Sequence, residues 1–191
     1  MNEEIMRGIF LLCYAGYMPI RRFFAYRVGK QEGFAPLFRG KENMAEMTVR
    51  AIVSYSIILT AWAYIVAPSF IAFAQIESPY ELRLVGVFLA LIGSVLLLHS
   101  HRALDRQWSP HLEVRTAHKL IATGPYAFVA HPMYIAAALF LIGESLISAN
   151  LIFGALSFAM ILFLIVRIPK EEKMLEDAFG VEYTVYRRGV L

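Results

Sequence analysis

Five apolar stretches, at 5–20, 49–74, 82–98, 133–149 and 151–168, divide this 191-residue chain and constrain it more than any other feature. A helix crossing the hydrocarbon layer of a bilayer needs about 20 predominantly apolar residues, with a range of about 17–25. The second stretch is ample and the others lie near the lower limit. A soluble fold of this size has no interior large enough for all of them: 59% of the residues are hydrophobic and only 17% are charged. Soluble domains are about 45–50% apolar and about 25% charged. The expected fold is all-α, an integral membrane bundle of about five transmembrane helices forming one domain. The last two spans, separated only by Ser148, Ala149 and Asn150, form a helical hairpin near the C-terminus.

Charge gives the spans a direction. Of the 18 Lys and Arg residues, all but Arg7 and Arg83 lie in or beside the 21–48 connection, the 100–132 connection and the C-terminal segment. Alternating spans bring these three regions to one side. The positive-inside rule makes that side the cytoplasm, with the C-terminus there and the N-terminus outside. The same asymmetry supports the first stretch as a span despite Arg7, since without it the 21–50 block would be stranded across the membrane. A signal peptide is the competing reading. Glu3 and Glu4 stand where such a peptide carries positive charge, and no small-residue cleavage site precedes Arg21 and Arg22. The net charge of +3 is therefore a sided charge and not a nucleic-acid footprint. A lone cysteine, Cys13, excludes a disulfide scaffold. The chain has no Gly-rich phosphate loop, which excludes a soluble Rossmann-type cofactor domain.

Polar and aromatic residues that can do chemistry collect at 107–134 and 167–186. The first region holds Trp108, then His118-Lys119-Leu120, then Gly124-Pro125-Tyr126, then His131-Pro132-Met133-Tyr134. Gly-Pro and His-Pro both disfavour continuous helix, because proline lacks a donor and restricts the residue before it. Irregular backbone at membrane depth is tolerated only when buried in protein or lining a cavity, so a ligand pocket is expected here, with a plain re-entrant turn as the alternative. The second region begins Arg167-Ile168-Pro169-Lys170-Glu171-Glu172. Pro169 is expected to break the fifth helix and let the glutamate pair open a short cytosolic C-terminal helix, with Met174, Leu175, Ala178 and Phe179 on its apolar face. His99 and His101, two apart, point to different sides of a helix and cannot share an ion, so no metal site is expected. Glu144, deep in the fourth span, is either functional or a hydrogen-bonded packing residue.

Taken in order, Gly124-Pro125-Tyr126, His131-Pro132-Met133-Tyr134, Arg167, Glu171-Glu172, Phe179-Gly180 and Glu182-Tyr183 resemble the isoprenylcysteine carboxyl methyltransferase family, membrane-embedded enzymes related to phospholipid methyltransferases. The resemblance runs from Trp108 to Val190. It departs from the family pattern at Ala130, where an arginine usually precedes His-Pro. The resemblance implies an S-adenosylmethionine-dependent methyltransferase with N-terminal spans at 1–100 and a cofactor-binding loop, hairpin and C-terminal segment at 101–191. His118, Leu120, Gly124, Pro125, Tyr126, His131, Pro132 and Tyr134 would surround the cofactor from the loop side, and Glu171 and Glu172 from the tail side. Arg167 and Glu171 would be catalytic, and Trp108 and Arg167 would contact the substrate. The implied acceptor is the carboxylate of a C-terminal prenylated cysteine or a similar lipid-like molecule, entering from the bilayer. A phospholipid amine or small thiol is the alternative acceptor, and a sterol-reductase-like oxidoreductase the more remote alternative.

Overall fold

The helices run longer than the apolar stretches that announce them. The computed structural model describes residues 3–29, 36–39, 43–108, 113–115 and 119–190. Helix α1 (Glu3–Gly29) begins with Glu3 and Glu4, which complement its positive end, and continues through Pro19 to Arg27 in its last turn. A short strand β1 (Pro36–Arg39) follows, then α2 (Met44–Val66), whose N-cap Asn43 accepts a hydrogen bond from the Ala45 amide at 3.2 Å. Helix α3 (Tyr80–Leu104) precedes β2 (Glu113–Arg115), which pairs antiparallel with β1. This two-stranded ribbon is the one departure, among the described residues, from the expected all-helical fold. Helices α4 (Pro132–Ser148) and α5 (Leu151–Phe179) form the hairpin, and α6 (Val181–Arg188) closes the chain.

Two boundaries differ from expectation. The second apolar stretch does not stay helical to Ala74: α2 stops at Val66, because Ala67 precedes Pro68 and is pushed out of the helical region, to φ −137°. Short 3-10 turns at Pro68–Phe70 and Ala72–Ala74 complete that stretch. Pro169 does not end the fifth helix. It removes one backbone donor, but the residues after it remain free to be helical, and α5 continues to Phe179. The actual stop is Gly180, with φ +56°, a conformation available to glycine without steric cost. The C-terminal helix is thus α6, beginning after Gly180, and Glu171 and Glu172 lie inside α5.

Three of these helices, α2, α3 and α5, are long and apolar enough to cross a membrane; α4 is apolar but has 17 residues. Their outward faces are apolar too. Leu12, Leu59 and Phe88 are 73%, 68% and 66% exposed, the reverse of a soluble protein's partition.

The tightest contact joins α3 to α4. Gly86, Ala90 and Gly93 on α3 face Ala136, Phe140 and Gly143 on α4, a small-residue seam of the kind that lets helix backbones approach in membranes. A Cβ on Gly143 would lie 2.5 Å from the Gly86 carbonyl oxygen and 2.6 Å from the Ala90 nitrogen. At the end of the seam Arg83 donates through Nε to the Ile147 carbonyl at 2.8 Å and through its two terminal nitrogens to the Glu3 carboxylate at 2.7 and 2.9 Å. The Tyr64 hydroxyl donates to the same carboxylate at 2.9 Å. This cluster gathers the start of α1, the end of α2, the start of α3 and the end of α4. Asn150 then ties in the start of α5: its Oδ1 accepts from the Ile152 and Phe153 amides at 3.1 and 3.3 Å, while its Nδ2 donates to the Ile71 carbonyl at 3.0 Å. All five long helices therefore alternate in direction, and Arg21, Arg50 and Arg167 come to the opposite end.

Because the neighbours of Gly143 are backbone atoms with no room to yield, Gly143→Ala is expected to destabilise the protein by about 1–3 kcal/mol. Gly154, whose Cβ would meet nothing within 4 Å, should accept alanine with little change. Thermal unfolding of the two variants in detergent checks the pair.

Candidate functional site

The site is built where the chain leaves helix. Gly124 adopts φ +61° and opens a 3-10 turn, Gly124–Ala127, that drives Tyr126 into the interior at 9% exposure. After it, His131 takes the N-cap position of α4 with Pro132 at the first helical position, where the missing N–H costs nothing. The His131 carbonyl accepts from the Tyr134 and Ile135 amides at 3.1 and 3.3 Å, which starts the helix and sets both side chains on one face. The two rings stack, 5.5 Å apart and 12° from parallel.

Opposite them stands the C-terminal part of α5, helical because Pro169 does not interrupt it. The Tyr134 hydroxyl donates to the Glu171 carboxylate. The next residue points about 100° further round the helix and meets different partners. Glu172 Oε1 lies 3.3 Å from His131 Nε2 and accepts from Arg187 Nε at 2.8 Å. Arg187 belongs to α6, which is held a second time by the Tyr186 hydroxyl donating to the Tyr126 carbonyl at 2.8 Å. Loop, α4, α5 and α6 thus close on one another through side chains, with α6 strapped across the end.

These elements wall a cavity of about 390 Å³. Of the residues singled out from sequence, Trp108, Leu120, Tyr126, His131, Tyr134, Arg167 and Glu171 line it. Gly124, Pro125 and Pro132 shape the backbone behind the lining. Glu172 stands outside the wall, and its carboxylate orients His131 and holds α6. His118 lies outside the described residues. Ala130 is also in the wall. The inner part of the cavity is apolar, formed by residues such as Ile57, Leu141, Met160 and Phe163, whereas charged groups gather at the end nearest α6.

The structure adds wall residues to which the sequence assigned no site role: Arg21 of α1, Arg50 of α2, Lys119, and Tyr183 and Tyr186 of α6. Tyr183 is 1% exposed, and its hydroxyl has no hydrogen-bond partner among the described residues. A buried hydroxyl at a cavity wall without a protein partner is free to bond whatever enters. Its sequence signal is the Glu182-Tyr183 pair, recognisable only as part of the motif. Burial, reinforced by Glu171, Tyr186 and Tyr134, pushes the Tyr126 phenol far above its ordinary value, so it stays neutral and able to donate.

Comparison with known proteins gives this geometry its context. Residues 84–177 match the model of the Isoprenylcysteine carboxyl methyltransferase family. A probable protein-S-isoprenylcysteine O-methyltransferase of Oryza sativa subsp. indica is 25% identical over 175 residues, spanning 85% of this chain and 86% of the relative. Protein-S-isoprenylcysteine O-methyltransferase B of Arabidopsis thaliana is 23% identical over 154 residues, spanning 78% of this chain and 77% of the relative. A solved structure of the eukaryotic intramembrane Ras methyltransferase, an isoprenylcysteine carboxyl methyltransferase, superposes with a TM-score of 0.57 at 22% identity. That match takes in 95% of this chain and 66% of the solved one, and it shows that the two share a fold.

The two α6 bonds are each worth about 1 kcal/mol. Tyr186→Phe combined with Arg187→Gln should therefore raise amide hydrogen exchange across 181–188 by about tenfold or more, with no matching rise in α3 or α4. Exchange mass spectrometry in detergent reads both regions in one experiment.

Proposed function

We propose that this chain, whose residues 84–177 match the model of the Isoprenylcysteine carboxyl methyltransferase family, moves a methyl group from S-adenosylmethionine to the carboxylate of a C-terminal prenylated cysteine or a similar lipid-like acceptor. The observation that carries the reading is a single cavity with two characters. A polar end bearing Tyr134, Glu171 and Arg167 runs without a wall into an apolar interior lined by α2, α4 and α5. A soluble charged donor and a membrane-borne acceptor can meet only in such a place.

The side chains suit the donor. S-adenosylmethionine supplies, when bound, an electrophilic methyl group on a sulfonium. Glu171 offers a carboxylate to an ammonium or to ribose hydroxyls, and the Tyr134 hydroxyl fixes its orientation. Trp108, Tyr126 and Tyr183 offer aromatic faces to a cation or an adenine ring. His131, held by Glu172, is placed to receive the donor's carboxylate. Arg167 lies one helical turn before Glu171 on the same face of α5, so a carboxylate acceptor paired with it sits beside the donor. A carboxylate is already ionised at neutral pH, so this chemistry needs no general base and rests on positioning and exclusion of water. The charge asymmetry supports placing this end of the bundle in the cytoplasm, where a soluble donor is available, and the N-terminus outside.

Calorimetry with S-adenosylhomocysteine tests the donor half. Glu171→Gln is expected to weaken binding by about tenfold or more, and Glu172→Gln by less, because it acts through His131 and α6. Transfer of a labelled methyl group from S-adenosylmethionine to an N-acyl S-prenylcysteine tests the acceptor half. Wild-type protein that binds neither donor nor product at millimolar concentration would refute the reading.

A further inference from the structure

The apolar part of the cavity has the same depth on four helices. Arg21 and Tyr14 on α1 are seven residues apart, as are Arg50 and Ile57 on α2, Tyr134 and Leu141 on α4, and Arg167 and Met160 on α5, and each of them lines the wall. Seven residues make two helical turns, which return a side chain to the same face about 10.5 Å further along. The first of each pair stands at the polar end. Beyond the second, only Ile58, next to Ile57, still lines the cavity from these helices. The following turn is closed by rings. Phe10 of α1 is fully buried and meets Tyr64 of α2 at 5.0 Å and Phe153 of α5 at 5.3 Å, both edge-on. Tyr14 stacks on Phe10 at 5.9 Å and leans on Phe140 of α4 at 6.2 Å. The cavity therefore ends on an aromatic plug, and Tyr14 joins that plug to the cavity wall.

We propose that this floor is a length gauge: the Tyr14 ring limits the apolar tail of the acceptor to about eight or nine bonds of extended chain, and longer tails bind less well. An extended hydrocarbon advances about 1.2 Å per bond, as the three-bond peptide unit advances about 3.3–3.6 Å. A depth of about 10.5 Å gives the stated limit. The proposal rests on the methyltransferase reading for the place of the acceptor's head, at the end bearing Arg167 and Glu171, and it adds a property of the tail that this reading leaves open. A tail drawn from bilayer hydrocarbon gains little by entering an apolar wall, since lipid is as apolar as the side chains. Fit therefore decides the outcome. Up to the floor, each added methylene exchanges one apolar contact for another. Past it, the chain must fold back or displace rings from a close-packed interior, and overpacking is unfavourable. Without the Tyr14 ring the floor drops one turn to Phe10, which is about 6 Å or about five bonds.

The chain has two tryptophans, and Trp62 is 59% exposed while Trp108 lines the cavity. In a Trp62→Phe background, Trp108 fluorescence therefore reports cavity binding in nanodiscs without any donor. The probes are N-acetylcysteines S-alkylated with hexyl, octyl, dodecyl and hexadecyl chains. Each Kd is referred to the probe's concentration in the membrane, so that partitioning into lipid cancels. Hexyl and octyl probes should bind within about twofold of each other, and dodecyl and hexadecyl probes about tenfold or more weakly. Tyr14→Ala should bring the dodecyl probe within about threefold of octyl and leave hexadecyl weak. Tyr14→Phe keeps the ring and should keep the limit. Ser54 lines the wall of α2 one turn before Ile58, so Ser54→Phe adds bulk without removing packing and should weaken the octyl probe about tenfold relative to hexyl. Leu59 faces outward at 68% exposure, and Leu59→Ala should change nothing. Equal affinity across the wild-type series, or a limit unmoved in a folded Tyr14→Ala or Ser54→Phe variant, would overturn the proposal. Failure of the methyltransferase reading shows separately, as wild-type protein that keeps the chain-length limit yet does not bind S-adenosylhomocysteine.

Discussion

The backbone contact between α3 and α4 is the constraint on which the rest depends. At Gly86, Gly93 and Gly143 the two helices approach so closely that a Cβ on any of the three would overlap the facing backbone. Lipid gives no hydrophobic drive for helix association, so close van der Waals packing must supply the attraction, and a seam of small residues is how it does so. The seam fixes the axis of α4, and with it the point at which His131 and Tyr134 emerge. The Asn150-capped turn then returns α5 alongside, so that Glu171 and Glu172 arrive opposite residues about 40 positions earlier in the chain. Arg83 and Glu3 secure the far end of the same bundle. The site is thus positioned by packing at membrane depth and completed by hydrogen bonds at one end.

That division explains how much could be read from sequence. The apolar stretches locate the helices because hydropathy measures the property a lipid-facing surface must have. They do not locate the helix ends, because a helix continues for as long as its backbone is satisfied, whatever its polarity. Arg21, Arg22 and Arg27 look like part of a connection, yet α1 carries them on for two more turns, and Arg21 thereby becomes a wall residue. Pro169 is the converse case. A proline constrains its own turn and the residue before it, and whether the helix resumes depends on tertiary partners that pattern alone does not show. Since α5 resumes, Glu171 and Glu172 acquire separate roles. Adjacent residues on a helix diverge by about 100°, so one carboxylate meets the cavity and the other meets His131 and Arg187. A sequence reading with a break at Pro169 has no means to separate them.

Two buried polar residues stand apart from this scheme. His101 is fully buried near the end of α3, its ring stacked on Phe24 at 4.6 Å and set edge-on to Trp108 at 4.8 Å, with neither ring nitrogen bonded among the described residues. It fills an aromatic position behind Trp108 and so helps fix one wall of the cavity. Glu144 is buried on α4 with both carboxyl oxygens unpartnered among the described residues, one turn from Phe140 and Leu141 at the inner end of the cavity. The sequence pointed to Glu144 as unusual because a carboxyl within an apolar run is expensive. It could not rank His101, which in sequence resembles any histidine near a helix end.

The wall of the cavity is assembled from two parts of the chain with different obligations. Tyr126, His131, Tyr134, Arg167 and Glu171 come from the segment that matches the family model. Arg21 and Arg50 come from α1 and α2, which are tied to the start of α3 by the contacts of Glu3 and Tyr64 with Arg83 at the opposite end, while the Lys170 ammonium donates to the Glu46 carboxylate and joins α5 to α2. A change on the cavity face of α1 or α2 can therefore alter the charge or width of the cavity without moving the glycine seam or the hydrogen bonds of Glu171 and Glu172. The wall is thus divided between the α4–α5 hairpin and the helices around it, and Arg167 and Glu171 stand one turn apart where the two meet.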